Sequence, residues 1–212
     1  MHYHCSPARE MTARQLHSLA RYRHQVFVQR LGWQLGDDQG LELDQFDHPD
    51  TVHLVAEDGA GRVAGCARLL PTTGAYLLGE VFAGLLNGVE VPRCGQTWEL
   101  SRFACGIAEE TDRTTMKHLA ENLLLRALQF CQASGVHQLL AVTTPAVERI
   151  IRRAHVEVQR MGPPVHHEGG FILACVIAVS ERSMQELARC SGVGSNLDVQ
   201  SVSRVTEAQY AA

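Results

Sequence analysis

The sequence predicts an α/β domain with a mixed, mainly antiparallel central sheet flanked by helices. Three observations carry this. Two apolar segments that read as strands, Thr51 to Glu57 and Arg62 to Leu70, are joined by the tight-turn chemistry of Asp58-Gly59-Ala60-Gly61, the pattern of an antiparallel hairpin. Two longer segments, Thr12 to Arg30 and Asp112 to Ser134, carry apolar residues at helical spacing. Further apolar runs at Thr97 to Ala104, Val136 to Thr143, Val156 to Met161 and Phe171 to Val179 interleave strands with these helices.

Each element has its own signals. Thr12-x-x-Gln15 has the form of a capping box, which satisfies two backbone donors left open at a helix start. Leu16, Leu19, Ala20, Val26 and Phe27 then form one stripe. Gly36 to Asp50 is rich in Gly and Asp and ends at His48-Pro49-Asp50, which is loop chemistry. Pro71-Thr-Thr-Gly74 closes the hairpin, and Tyr76 to Leu86 reads as a short helix ending near Asn87-Gly88. The segment from Asp112 carries Met116, Leu119, Leu123, Leu124, Ala127, Leu128 and Cys131 on one broad stripe, with Gly135 as its C-terminal cap. Thr144 caps the next helix and Pro145 takes its first position, where a missing N–H costs nothing; that helix runs to about Arg153. Residues 1–11 and about 191–212 are expected to be loosely ordered ends.

With 212 residues, 45% of them apolar and 20% charged, the chain suits one ordinary globular domain. A formal charge of −4 argues against general affinity for nucleic acid. The longest apolar run, Phe171 to Val179, is about half of what a bilayer span requires, and the first eleven residues hold no signal-peptide core. Seven scattered cysteines without a C-x-x-C pair read as buried free thiols of a reducing compartment. A cytoplasmic protein with no nucleic-acid or membrane partner is expected.

Several charges fall where the pattern expects buried surface. Arg23 lies four residues from both Leu19 and Phe27, on the apolar stripe. Either it meets a carboxylate or anion there, or its stem covers the core while its head reaches water. Glu99 falls inside a strand; period two puts Glu99 and Ser101 on one face and Trp98, Leu100 and Arg102 on the other. A buried glutamate is either ion-paired, with Arg68 or Arg102, or works as a base. Asp44 and Asp47 flank Phe46 in a loop, as solvated turn residues or as an acidic lining for a cationic substrate. Arg149, Arg152 and Arg153 cluster on one helix, as a solvated face or a dock for an acidic partner. His2-x-His4-Cys5 and His166-His167 lack a spaced partner set, so no metal is expected.

Taken together, Arg23-x3-Phe27-x5-Trp33-x10-Asp44-x2-Asp47, then Arg68, Phe82 and Glu99-x-Ser101-Arg102, resemble the signature of the acyl-homoserine lactone synthases, the LuxI-type autoinducer synthases. The stretches Arg21 to Phe27, Asp44 to Pro49 and Gly65 to Thr73 resemble the subgroup making short- to medium-chain signals. The resemblance covers about Leu16 to Val179 and implies a single autoinducer synthase domain over 1–212.

The resemblance implies a fold like the GCN5-related N-acetyltransferases (GNAT-like), with a splayed substrate cleft. It implies two substrates, S-adenosylmethionine and an acyl chain on acyl carrier protein, and no cofactor. Glu99, Arg68, Asp44, Asp47, Ser101 and Arg102 become the expected catalytic set. Arg23, Phe27, Trp33, Phe82 and Phe103 are expected at S-adenosylmethionine, Thr143 at the acyl chain, and Arg149, Arg152 and Arg153 at the carrier protein. Phe103 to Asp112 lacks the glycine pattern with which acetyl-CoA enzymes of this fold cradle pyrophosphate. The rivals are a CoA-dependent N-acyltransferase and a non-catalytic module that binds S-adenosylmethionine.

Overall fold

The computed structural model describes residues 1–35, 39–106, 112–168 and 170–191. The expected loose tail beyond Ser191 and the middle of the Phe103 to Asp112 segment lie outside the described residues. The N-terminal end departs from expectation: His2–Pro7 form a strand, β1, in antiparallel register with Val52–Glu57, β2, from His2↔Glu57 to Pro7↔Val52. Only Cys5 and Pro7 of β1 are buried, so this edge strand shows little apolar alternation.

The Thr12 capping box is present and starts α1, Ala13–Arg23. The helix then widens into a π-helical turn, His24–Arg30, in which the Leu31 N–H donates to the Val26 carbonyl at 3.0 Å. Such turns recur beside functional sites because they shift the phase of the helix face. At the hairpin, Asp58 Oδ1 accepts from the N–H groups of Ala60 and Arg62, both at 2.9 Å, and leads into β3, Val63–Pro71. The stretch after it resolves into a short α2, Leu77–Glu80, and a 3₁₀ turn, Ala83–Leu86, closed by left-handed Asn87 and Gly88.

Next come β4, Thr97–Cys105, and α3, Arg113–Ala133, capped by Asp112 and stopped at Gly135 with φ 71°. They are followed by β5, Gln138–Thr143, and α4, Pro145–Arg153, with Thr144 and Pro145 in their expected places. Then follow β6, Val158–Arg160; β7, Val165–His167; β8, Gly170–Ala178; and α5, Glu181–Ser191. The sequence reading did not anticipate β7 or α5.

Among the described residues the sheet runs β1-β2-β3-β4-β5-β8-β6, with β7 paired to β8. Every pairing is antiparallel except β4 with β5. One face carries the main core, where Trp98, Leu100, Ala67 and Leu69 meet Leu119, Leu123 and Leu128 of α3. Each such leucine contributes roughly 1.5–3 kcal/mol by burial, so this face anchors the fold. The other face holds two smaller apolar clusters. Leu19, Tyr22, Val26 and Phe27 cover one, with Val55, Cys66 and Ala104; Phe46, Tyr76, Leu78 and Leu86 cover the second, with Leu70 and Leu140. β4 and β5 pair only from Thr97↔Gln138 to Glu99↔Leu140, then run on without each other. The gap beyond Glu99 is the splayed cleft.

Candidate active site

A local irregularity builds the site. Between the register pairs Cys66↔Ala104 and Arg68↔Ser101, β3 has one residue, Ala67, but β4 has two, Arg102 and Phe103. The extra residue is a β-bulge, and Arg102 adopts φ 49°, in the left-handed region. That conformation costs a non-glycine residue about 1–3 kcal/mol. It breaks the alternation, so the expectation that Arg102 faces away from Ser101 is corrected. Arg102 instead reaches the acidic residues that also hold Arg68.

Six charges close into a ring. Arg23 donates from Nε to Glu42 at 2.5 Å and from both terminal nitrogens to Asp47 at 2.7 and 2.9 Å. Arg68 lies 3.2 Å from Asp47, donates to both oxygens of Asp44 at 2.6 and 3.1 Å, and donates from Nε to Ser101 Oγ at 3.0 Å. Arg102 donates to Asp44 at 2.7 Å and to Glu42 at 2.9 and 3.1 Å, which returns the ring to its start. Three guanidiniums thus alternate with three carboxylates. Arg23 and Arg68 are each no more than 1% exposed, and Glu42 is fully buried. Of the two readings open for Arg23, the carboxylate-paired one holds.

The loop is shaped for this. The Asp44 N–H donates to Asp47 Oδ2 and the Phe46 N–H to Asp44 Oδ1, both at 2.9 Å, while the Glu42 N–H donates to the Ala20 carbonyl of α1 at 3.1 Å. Burial alone would raise the pKa values of Glu42 and Asp47, but hydrogen bonds and charge from the arginines overcome it and hold both below the usual carboxylate range. Glu42 was missed in the sequence reading. Its signal was available: in Leu41-Glu42-Leu43-Asp44 the glutamate shares the face of Asp44, and Leu43 is the residue left exposed.

Glu99 takes neither of its two ion-pair partners. Its carboxylate accepts the N–H groups of Leu77 and Leu78 at 2.9 and 2.7 Å, at the start of α2. Burial raises its pKa, against the opposing pull of those two N–H groups and of Arg68 and Arg102. A carboxylate whose proton affinity is raised beside a cleft is suited to accept a proton.

His53 of β2 lies under the ring, 4% exposed, with Nε2 4.0 Å from Asp47 Oδ1. Burial lowers its pKa to about 4; Asp47 opposes the shift, while Arg23 and Arg68 reinforce it. The unfolded chain therefore binds the proton more tightly. The neutral ring's stabilising contribution is complete above pH 6.5 and is lost as pH falls toward 4. Between pH 7.5 and 5 the loss should be about 2 kcal/mol. Urea unfolding of His53→Gln should show that slope removed, and an unchanged slope would assign it to other groups.

The remaining predicted residues divide. Phe27 and Trp33 stack with ring centroids 4.8 Å apart, and the Arg102 guanidinium lies 5.6 and 5.8 Å from their centres. Trp33 is 42% exposed, so this aromatic wall is open on one side. Phe82 sits instead against the Tyr76–Leu140 apolar cluster, in a T-shaped contact with His167. Phe103 packs against the α3 core, on the opposite face from the ring, because the bulge turned Arg102 in its place. Thr143 is half-buried at the end of β5, opposite Leu173. Arg149, Arg152 and Arg153 are all exposed on α4, but Arg152 is held by Glu148 at 2.8 Å. Among the described residues, no group of three or more His, Cys, Asp or Glu is placed to hold a metal ion, and no helix is long and apolar enough to cross a membrane.

Comparison with known proteins places the chain in one family. The family model for autoinducer synthases matches residues 8–187. The acyl-homoserine-lactone synthase of Acinetobacter nosocomialis is 42% identical over 162 residues, 74% of this chain and 88% of that protein. TofI, solved in a ternary complex with an inhibitor and MTA, is 38% identical with a TM-score of 0.79, covering 88% of this chain and 96% of its own. BjaI, a CoA-dependent acyl-homoserine lactone synthase solved with SAM and isopentyl-CoA, is 28% identical with a TM-score of 0.81, over 91% and 90% of the two chains. An acyl-CoA N-acyltransferase from Pseudomonas aeruginosa, at 16% identity and a TM-score of 0.56, shares the fold alone. With the family model matching residues 8–187 and a curated synthase 42% identical over 74% of this chain, the protein belongs to the autoinducer synthases, the acyl-homoserine-lactone synthase family.

Proposed function

We propose that the protein transfers a short- to medium-chain acyl group from acyl carrier protein to the amine of S-adenosylmethionine, then closes the lactone with release of methylthioadenosine. One observation carries the S-adenosylmethionine half. All three nitrogens of Arg23 and of Arg68 donate to protein acceptors, whereas Arg102 donates only from Nε and Nη2. Its Nη1 has no acceptor among the described residues, and the guanidinium lies against Phe27 and Trp33. A substrate carboxylate meets that nitrogen, with the cationic sulfonium or the adenine on Trp33. Asp44 is the most exposed carboxylate of the ring, its side chain 19% exposed. Arg68 and Arg102 offset much of its field, which leaves the aromatic wall as the principal cation partner.

Two bonds form. The neutral amine attacks the thioester carbonyl; Glu99 accepts the amine proton directly or through water and returns it to the departing thiolate, giving an amide and a free thiol. The methionyl carboxylate oxygen then attacks its own γ-carbon and the sulfonium leaves as methylthioadenosine. A sulfonium is already a good leaving group, so the second step is mainly a matter of holding the carboxylate over the carbon. The acyl chain occupies the gap where β4 and β5 part, with Thr143 at its rim.

For the donor, α4 supports a carrier protein. Arg149 and Arg153 are exposed and make no ion pair among the described residues, and Val147 and Ile150 beside them are 41% and 59% exposed. An apolar ridge with a basic border complements a strongly acidic protein. Arg149→Glu with Arg153→Glu should raise the carrier-thioester KM roughly tenfold or more with a smaller change in kcat; an unchanged KM removes α4 as the dock. BjaI favours acyl-CoA as the second reading. Mass spectrometry of reactions with S-adenosylmethionine and matched carrier or CoA thioesters decides. Lactone and methylthioadenosine from carrier thioesters are expected; lactone from CoA thioesters alone overturns the donor. A simple amide from acyl-CoA would indicate a plain acyltransferase. The seven free thiols, four of them buried, support a reducing, cytoplasmic setting.

A further inference from the structure

We propose that Cys66 is a positioning residue for substrate recognition: its thiol holds the Arg102 backbone in the left-handed turn that directs Nη1 of the arginine, which has no acceptor among the described residues, toward the cleft. Cys66 is the last residue of β3 in regular register before the bulge, paired with Ala104, and is 1% exposed. Its Sγ lies 3.2 Å from the Arg102 carbonyl oxygen. A carbonyl can only accept, so the thiol is the donor. Burial pushes the thiol's pKa up to about 12, which keeps its proton in place throughout the working range.

The need for such a contact follows from the bulge. Neither Arg102 nor Phe103 has a register partner on β3, so the Arg102 peptide lies outside the regular one-to-one register. Regular alternation would send the side chain to the face of Trp98 and Leu100, under α3. Arg23 and Arg68 have no comparable dependence, since one sits on a helix and the other in regular β register with φ in the ordinary range. The thiol is the side-chain donor the structure gives to the Arg102 carbonyl, and it comes from the boundary between the Phe27 cluster and the ring.

The inference rests on Arg102 holding the substrate carboxylate, and the test separates the two ideas. Steady-state kinetics with S-adenosylmethionine varied at saturating acyl donor would compare Cys66→Val, Cys66→Ala, Cys66→Ser and Arg102→Lys. Valine fills the space without a donor; alanine removes donor and bulk together, and serves if the valine variant fails to fold. Both should raise the S-adenosylmethionine KM about tenfold while the acyl-donor KM stays within about twofold. Serine restores a donor and should bring the KM back to within about threefold of the parent. Unchanged KM in the valine and alanine variants, or a serine variant as impaired as they are, overturns the role of Cys66. If Arg102→Lys leaves that KM unchanged, the reading of Arg102 itself falls; if it raises KM while Cys66→Val does not, only the role of Cys66 falls.

Discussion

Glu99→Gln is expected to lower kcat by roughly 10²- to 10⁴-fold while leaving Tm within about 4 °C of the parent. The first half follows from chemistry: the amide of glutamine cannot accept the amine proton, so acyl transfer stalls before lactone closure. The second half follows from what Glu99 does in the resting fold. Burial raises its pKa, so the native chain holds that proton more tightly than the unfolded chain. Its contribution to stability is therefore present in acid and lost as pH rises through the raised value. At neutral pH the buried charge costs stability, and the N–H groups of Leu77 and Leu78 offset part of that cost. Glutamine removes the charge but presents an N–H to one of those donors, so the changes oppose each other. Measuring turnover and thermal melting on the same preparation checks both. Turnover within about fivefold of the parent would remove Glu99 as the base, and a large fall in Tm would make it chiefly a cap for α2.

The largest effect on stability is expected at Glu42. Glu42→Gln leaves Arg23 and Arg102 without the carboxylate they share, in surroundings where the side chains of all three are at most 4% exposed. Breaking a buried charge pair from one side costs about 3–5 kcal/mol, which for a chain of this size lowers Tm by roughly 6–20 °C. Chemical denaturation at neutral pH measures this directly. A loss under about 1 kcal/mol would mean that water or Asp44 and Asp47 can take over both guanidiniums. Depression of the Glu42 pKa adds a pH signature: its contribution is present above the ordinary carboxylate range and is lost as pH falls through the lowered value.

Much of this fold was legible because its signals are local. The Thr12 capping box, the Asp58 turn, the Asp112 cap and the Thr144-Pro145 start each involve residues within a few positions of one another, and each recurs in the structure. What the sequence concealed depends on distant partners. β1 is a strand because β2 offers it an edge, with little apolar alternation of its own. α5 buries a narrow set, Ser183, Met184, Leu187 and Ser191, which reads as polar until α3 is beside it. The site was legible as residue types, since misplaced charges at Arg23 and Glu99 announce burial. Its connectivity was not. A bulge without glycine leaves no composition signal, so the direction of Arg102 and the shared role of Glu42 emerge only when β3 and β4 are paired.

The closed charge ring also limits how this protein can change. Each member touches two of opposite sign, so no position can lose its charge without stranding two others. Single-site saturation at Arg23, Glu42, Asp44, Asp47, Arg68 or Arg102 should return little but the parent residue. Routes to a different arrangement pass through joint changes at neighbouring members, with both signs removed together. A selection experiment on this site would therefore gain more from small libraries that vary adjacent pairs than from exhaustive scans of one position at a time.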